Sequence, residues 1–366
     1  MFILGMVLLG FLGLRWGITM LNVLGRPFLT HQTSSSDATV SILVPVRNEA
    51  NNLPTLFKQL SSLNAHQMEI IFLNDHSEDE SEELLKGFSS AHTHVRYVNG
   101  SPLPEGWLGK HWACHQLAKE ANGSYLLFLD ADIAFLHPSL ISSSKACMEK
   151  YQLKLLSLFP DQIMESRGEQ WTVPIMHYLL LSLLPLWWIL RLPFPSMAAA
   201  NGQFMFFEAD AYRRFLWHER VKDNVVEDIA IMQQLKEEKL KGLTLLGNGL
   251  IKCRMYKSLG EGIEGFSKNI LAGFGNSPIG LGIYLFLIML GWVLVIPFLP
   301  LSLLLLSLFL MLSIRAGISY LAKQPLWVNL VYHPIQMGLL VYISLLSIYK
   351  KSTKQVVWKG RNIAGK

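Results

Sequence analysis

Two aspartates, Asp130 and Asp132, interrupt the apolar run YLLFLDADIAFLHP at residues 125–138. Charged groups in such a setting are costly unless a partner compensates them. Two residues apart on an extended segment, they are expected to project to the same side. Carboxylates placed side by side repel, and one pKa rises unless a cation lies between them. A hard divalent ion, Mg2+ or Mn2+, takes one or two carboxylates and fills its remaining positions with phosphate oxygens and water. The pair therefore reads as a clamp for a metal-bound diphosphate. A plainer reading makes DAD a polar turn after a buried strand, with Asp132 capping a helix, and the D-x-D string alone does not separate the two. Other acids stand at comparable places. Asp75 follows the apolar run MEIIFLN, and Glu227 and Asp228 open the helix-like segment EDIAIMQQLKEE, where a helix dipole also favours carboxylates.

The segments that must position these acids alternate between two patterns. VSILVPV (40–46), MEIIFLND (68–75), VRYV (95–98) and YLLFLD (125–130) are near-continuous apolar strands, and helix-like segments separate them. Such strands indicate a largely parallel sheet with helices on both faces. In open α/β sheets, ligands sit beyond the carboxyl ends of the strands. Arg47, Asn48 and Glu49 after the first strand, Asp75 after the second and Asp130 after the fourth should thus converge on one rim. PLPEGWLGKH is a loop by its Pro and Gly content, and it carries Lys110.

Composition places this layer beside a membrane. The 366 residues are 51% apolar and 16% charged. Residues 1–25 are apolar except for Arg15 and long enough to cross a bilayer. No small-residue cleavage site follows, so an anchor is expected and not a removed leader. Residues 32–275 are mixed like a water-soluble domain, 279–349 are again apolar, and 350–366 form a basic tail. Within 174–195, PIMHYLLLSLLPLWWILRLPFP is apolar, broken by Pro185, and carries Trp187 and Trp188 with Arg191. Aromatics flanked by Arg suit a membrane interface; a buried pair of core helices is the other reading. The charge bias expects the domain and the tail in the cytosol of a multi-pass protein. That needs an even number of later crossings, yet three apolar stretches are visible (279–297, 300–318 and 326–349); the last, interrupted by His333-Pro334, is expected to be re-entrant or interfacial, and the parity stays open. The net charge of +5 comes without a basic stripe interleaved with aromatics, so nucleic acid is not an expected partner. Three scattered cysteines make no disulfide framework and fit a reducing compartment.

Taken in order, SILVPVRNEANNL, IIFLNDHSEDES, a GK before a helix, LFLDADI, NGQFMFFEADAY and VVEDIAIMQQL resemble the family 2 glycosyltransferases. These are inverting enzymes of GT-A-type fold that use sugar nucleotides. PLPEGWLGKHWACHQLA, EGFSKN and WKGR look more narrowly like the membrane-bound members associated with carotenoid and hopanoid lipids. The resemblance implies roles. Pro45, Arg47, Glu49 and Asp75 would seat the nucleotide, with Lys110 and Asp130 toward the diphosphate and the sugar. Asp130 and Asp132 would hold the metal. Asp228 would be the base that takes the proton of an acceptor hydroxyl, in a single inverting displacement. Asn201, Gly202, Gln203, Glu227, Trp187 and Trp188 would face the acceptor. Lys268, Trp358 and Arg361 would meet the diphosphate or gate the site. The Q-x-x-R-W of processive members is missing, which speaks against polysaccharide synthesis.

The resemblance thus implies transfer of one sugar, glucose from a UDP donor, to an apolar lipid such as a carotenoid or other terpenoid. Ceramide, diacylglycerol and polyprenyl phosphate are alternative acceptors, and a catalytically silent membrane scaffold is the alternative from another class. Two strings are set aside. GEGIEG (260–265) has no βαβ unit after it, and His111 and His115 lack the Glu of H-E-x-x-H. If 174–195 lies in the interface, replacing Trp187 and Trp188 with Ser loosens membrane attachment of the isolated domain. Unchanged partitioning in a flotation assay would count against that placement.

Overall fold

The structure, a computed structural model, describes residues 1–34, 36–63, 67–353, 357–358 and 361–362. It falls into two compact units interleaved along the chain. One comprises Met1–Pro27, Met164–Trp187 and Met255–Val356; the other comprises Phe28–Ile163, Trp188–Arg254 and Val357–Lys366. The sequence-based boundaries are therefore crossed. Residues 164–187, with much of the expected interfacial segment, and 255–275 group with the apolar helices rather than with the sheet. Helix Pro174–Leu183 is nearly all apolar, and it finds apolar partners within its own unit.

The sheet-bearing unit contains strands β1 (Val40–Val46), β2 (Met68–Asn74), β3 (Val95–Asn99), β4 (Tyr125–Leu129), β5 (Ile133–Leu136), β6 (Leu155–Phe159), β7 (Asp161–Gln162), β8 (Phe204–Glu208), β9 (Gly242–Leu246) and β10 (Ile251–Cys253). A seven-stranded sheet runs in the order β3-β2-β1-β4-β8-β6-β9. Every pairing in it is parallel except those of β8, which is antiparallel to both β4 and β6. The expected largely parallel sheet, with helices on both sides, is present. Strand β1 is buried along its length apart from Pro45, as a strand covered on both faces must be. Its pairing with β4 stops at Leu43↔Phe128. Pro45, which has no N–H to donate, lies past that point and so is tolerated in a central strand.

The reversed strand shapes the rim. Phe204 pairs with Leu129, so the start of β8 adjoins the end of β4. Residues 201–203 are thereby brought to the edge where the parallel strands terminate. A second, three-stranded sheet orders β5-β10-β7 and pairs Cys253 with Ile133, one residue from Asp132. Val357–Trp358 and Arg361–Asn362 form a short antiparallel pair.

Three helices of the other unit are long and apolar enough to cross a membrane: Phe2–Gly25, Pro278–Phe298 and Leu301–Leu321. A Cβ on Gly5 would lie 2.6 Å from Leu299, one on Gly291 3.0 Å from Leu8, and one on Gly317 3.0 Å from Thr19. The first helix therefore runs alongside Leu301–Leu321 in the same direction and against Pro278–Phe298. Small residues permit these close approaches, as is usual between spanning helices. The third apolar stretch, 326–349, breaks into Leu326–Val331 and His333–Ser352 and is not among the candidate spans. Among the described residues, two candidate spans thus follow the sheet-bearing segments.

Asn22 ties the first helix to the break before Pro185. Its amide donates to the carbonyls of Leu181 and Leu184 at 3.0 and 2.9 Å and accepts from the Leu186 N–H at 2.9 Å. Asn22→Ala leaves these buried groups without partners and should cost about 3 kcal/mol. A lowered unfolding midpoint of the detergent-solubilised chain checks this.

Candidate active site

Loops after β1 and β2 are cross-laced before any side chain reaches a ligand. Arg47 donates to the carbonyls of Asp75 and His76 at 2.8 and 3.1 Å. The Asn48 N–H meets Ser77 Oγ at 3.1 Å, and Asn48 Oδ1 accepts from the Glu78 N–H at 2.8 Å. The N–H of Glu49 donates to Ser81 Oγ and that of Ala50 to Asp79 Oδ2. Asn48 and His76 adopt φ of 53°, the left-handed region that Asn tolerates through its short polar side chain. Glu49 itself accepts from Asn52 Nδ2 at 2.7 Å. Asp75, 4% exposed, precedes helix Ser81–Ala91 by several residues, so it does not start that helix.

Next along the rim, helix Gly109–Glu120 opens at Lys110. Its ammonium lies 2.9 Å from Asp130 Oδ1 and 3.1 Å from Glu227 Oε1. It is neither a free solvated lysine nor a cation waiting without a partner. Burial works against its charge, but Asp130 and Glu227 outweigh burial and hold its pKa well above the ordinary value. Glu227 and Asp228 open helix Glu227–Glu237. The Gly202 N–H donates to Asp228 Oδ2 at 2.9 Å, while Lys110 reaches the Gly202 carbonyl at 3.5 Å. The backbone of one residue, Gly202, thus touches both the lysine and the aspartate.

The Asp pair departs from expectation in shape. Asp130, Ala131 and Asp132 form a turn between β4 and β5 rather than an extended segment, and no helix follows for Asp132 to cap. Asp132 is held from one side: Gln203 Nε2 donates to its Oδ2 at 2.9 Å and also meets Cys253 Sγ. Gln203 is braced by Asn201, whose Oδ1 accepts from the Gln203 N–H at 2.8 Å, and Asn201 leans on Ser157. Asp132 Oδ1 is left buried without a partner.

Burial and these contacts act unequally on the four acids, and burial raises the Asp130 pKa despite the Lys110 ammonium against it. Burial raises the Glu227 pKa, but Lys110 overrides it and holds the carboxyl down at about 2. Asp228 is pushed up to about 7 by burial and then by Glu227. Asp132 is pushed up to about 7 by burial, then by Asp130 and Glu49. An orphaned buried oxygen on a carboxylate that resists ionisation is what a bound cation would relieve. Among the described residues no cluster of three His, Cys, Asp or Glu could hold a metal. The donor set is therefore two carboxylates, which fits a hard ion that completes its shell with water and phosphate oxygens.

Not every expected residue joins this group. Lys268 belongs to the helical unit, in helix Leu259–Gly273, with its ammonium 3.8 Å from Glu264. Trp187 also belongs there and donates to the Gly25 carbonyl at 2.8 Å. Trp188 belongs to the sheet-bearing unit and is 39% exposed. Trp358 and Arg361 lie on the short terminal strands, and their side chains are outside the described residues. GEGIEG falls inside helix Leu259–Gly273. His111 and His115 are buried, His111 against the Asn224 carbonyl at 3.0 Å. The sequence reading missed Ser77, Asp79 and Ser81, whose turn chemistry was a usable signal. It also missed Ser157 and Cys253, which no local pattern marks.

Residues 41–182 match the family described as Glycosyl transferase family 2. A 4,4'-diaponeurosporenoate glycosyltransferase of Staphylococcus haemolyticus is 23% identical over 246 residues, covering 65% of this chain and 62% of that protein. The Staphylococcus aureus protein of the same name is 28% identical over 128 residues, covering 34% of this chain and 32% of its own. The chain thus spans less than two thirds of these relatives. Among solved structures, a mannosyltransferase from Pyrobaculum calidifontis in complex with GDP-Man and Mn2+ superposes with a TM-score of 0.55 at 12% identity. That match covers 95% of this chain and 98% of the other. Strand order, reversed strand and superposition agree that this chain has a GT-A-type fold, and residues 41–182 of it match the model of glycosyl transferase family 2.

Proposed function

We propose that this protein is a membrane-attached inverting glycosyltransferase that moves one sugar from a nucleoside diphosphate donor to a lipid acceptor. The observation that carries this reading is the gathering of Lys110, Asp130, Asp132, Glu227 and Asp228 around the Gly202 peptide at the carboxyl end of the sheet. UDP-glucose is the donor, and a carotenoid or other terpenoid hydroxyl is the acceptor. The names of the curated relatives support that acceptor class. The three apolar helices support membrane attachment, with the sheet-bearing unit and the basic tail in the cytosol.

Pro45, Arg47, Glu49 and Asp75 line the nucleotide end of the rim, where the cross-laced loops hold their backbone still. Asp130 and Asp132 would hold a divalent cation, which supplies Lewis-acid stabilisation to the departing diphosphate; the Mn2+ in the Pyrobaculum structure supports a metal of this kind. Lys110 keeps Glu227 ionised and partly offsets the burial that raises Asp130. Asp228 accepts the acceptor's proton as its oxygen attacks the anomeric carbon from the face opposite the leaving group. A carboxylate whose pKa is raised toward neutrality is well matched to that task. Asn201, Gly202 and Gln203 lie beside it, and Trp188, exposed, is offered to the lipid.

The deciding experiment incubates membranes containing the full chain with labelled UDP-sugars and a panel of lipids, followed by mass spectrometry of the lipid fraction. A glycosylated terpenoid is expected. Product only on ceramide, diacylglycerol or polyprenyl phosphate would reassign the acceptor, and no product with any donor would favour a silent scaffold. Asp228→Asn should abolish transfer to a hydroxyl while leaving UDP binding nearly intact; lost UDP binding would sink its role as base.

The pH dependence carries a sign. With its pKa raised to about 7, Asp228 is protonated and idle at lower pH. kcat/KM should therefore fall as pH drops through about 7 and level off above it. Glu227→Gln removes a like charge and should shift that limb to lower pH. Gly202→Ala is the packing test. Its Cβ would sit 3.0 Å from Glu227 Oε1 and 3.1 Å from Lys110 Nζ, flexible ends that can give way. Unfolding should change little while turnover falls on the order of 10²-fold, the cost of displacing catalytic groups by about an ångström.

A further inference from the structure

The helical unit buries two guanidinium groups among apolar residues. Arg15 lies in Phe2–Gly25 and Arg315 in Leu301–Leu321, both candidate spans, and they are 2% and 1% exposed. Among the described residues, neither has a carboxylate partner. Arg15 Nε and Nη2 share a single acceptor, the Ser182 hydroxyl, at 3.3 and 2.8 Å. Arg315 Nη2 donates to Asn329 Oδ1 at 3.0 Å and to Gln336 Oε1, and its Nε approaches the Asn329 carbonyl at 3.4 Å. All of these acceptors are neutral, and Arg315 Nη1 is buried with none. His333 Nδ1 is likewise buried without a partner. One ring is the common neighbour: Tyr178 has Arg15 Cζ 4.7 Å, Arg315 Cζ 5.3 Å and the His333 ring 5.4 Å from its centroid.

We infer that this cluster around Tyr178 binds the head group of an anionic lipid, a single oxyanion such as a carboxylate or phosphate monoester carried on an apolar chain. Ionised side chains within spanning helices are expensive and mark ligand or ion sites by default. A purely structural network would close on itself, whereas this one leaves an edge of Arg315 and a ring nitrogen of His333 without acceptors. The guanidinium fork matches carboxylate and phosphate oxygens. The candidate spans that carry the two arginines are otherwise apolar, which favours an occupant with an apolar remainder, a lipid, over free phosphate. The inference does not rest on glycosyl transfer, so either reading can fail without the other.

The test uses the full chain, delipidated in neutral detergent, with oleic acid, lysophosphatidic acid, oleyl alcohol or inorganic phosphate added. Thermal unfolding and native mass spectrometry are the readouts. Oleate or lysophosphatidic acid at well above its Kd should raise the midpoint by about 4 °C, and oleyl alcohol should not. Arg315→Gln should weaken binding at least about tenfold, with Arg315→Lys between it and the wild type. Should Arg315→Gln fail to fold, His333→Ala serves in its place with the same expected weakening. Equal stabilisation by oleyl alcohol, or unchanged oleate binding in the variants, would overturn the site. Stabilisation by inorganic phosphate equal to that by the lipids would overturn the lipid as its occupant.

Discussion

The rim depends on one half-buried cation. Lys110 compensates Asp130 and Glu227 at once. Its position follows from local structure, because helix Gly109–Glu120 begins at the sheet's edge and its second residue is the lysine. Of the four acids, Glu227 alone is held below the ordinary range by the lysine, while burial still raises Asp130 beside it. Asp132 and Asp228, raised by burial and by their neighbouring carboxylates, are the ones that sit near neutrality. A single side chain thereby fixes one charge and leaves the other acids adjustable. A cation arriving at Asp130 would also compete directly with Lys110 for the same oxygens.

Reversal of β8 is what makes that division usable. A strand running parallel to its neighbours would have delivered its far end to the rim and kept residues 201–203 at the opposite edge. Antiparallel pairing with β4 instead places Gly202 where its carbonyl meets Lys110 and its N–H meets Asp228. Gln203, the next residue, secures Asp132. Three consecutive residues, Asn201 to Gln203, therefore connect Asp132, Lys110 and Asp228 through a stretch entering a strand.

Much of this was legible in the sequence because buried parallel strands write themselves plainly. VSILVPV, MEIIFLN and YLLFL appear as strands within a residue of where their apolar runs begin and end, and the acids that close them reach a common rim. Less was legible where the signal is non-local. β6 and β9 are apolar runs of five residues, LLSLF and GLTLL, too short for periodicity alone to tell from helix. The pairing of Lys110 with Glu227 spans more than a hundred positions and leaves no spacing to read. Cys253 reaches Asp132 only through the register of β10 with β5. The 164–187 segment carried two readings, interface or core, and its grouping with the terminal helices is decided by tertiary partners that hydropathy does not name.

That grouping has a consequence for how the chain is made. Arg15 belongs to the first candidate span, but its acceptor, Ser182, lies 167 residues further along the chain. The remaining candidate spans are synthesised only after the whole sheet-bearing segment. For that interval the guanidinium has neither Ser182 nor the Tyr178 ring beside it. A long cationic side chain in a bilayer reaches toward the head groups when it lacks an internal acceptor. The surroundings of Arg15 are therefore complete only once residues 174–187 and 278–321 have been made, which makes its burial a late event in synthesis.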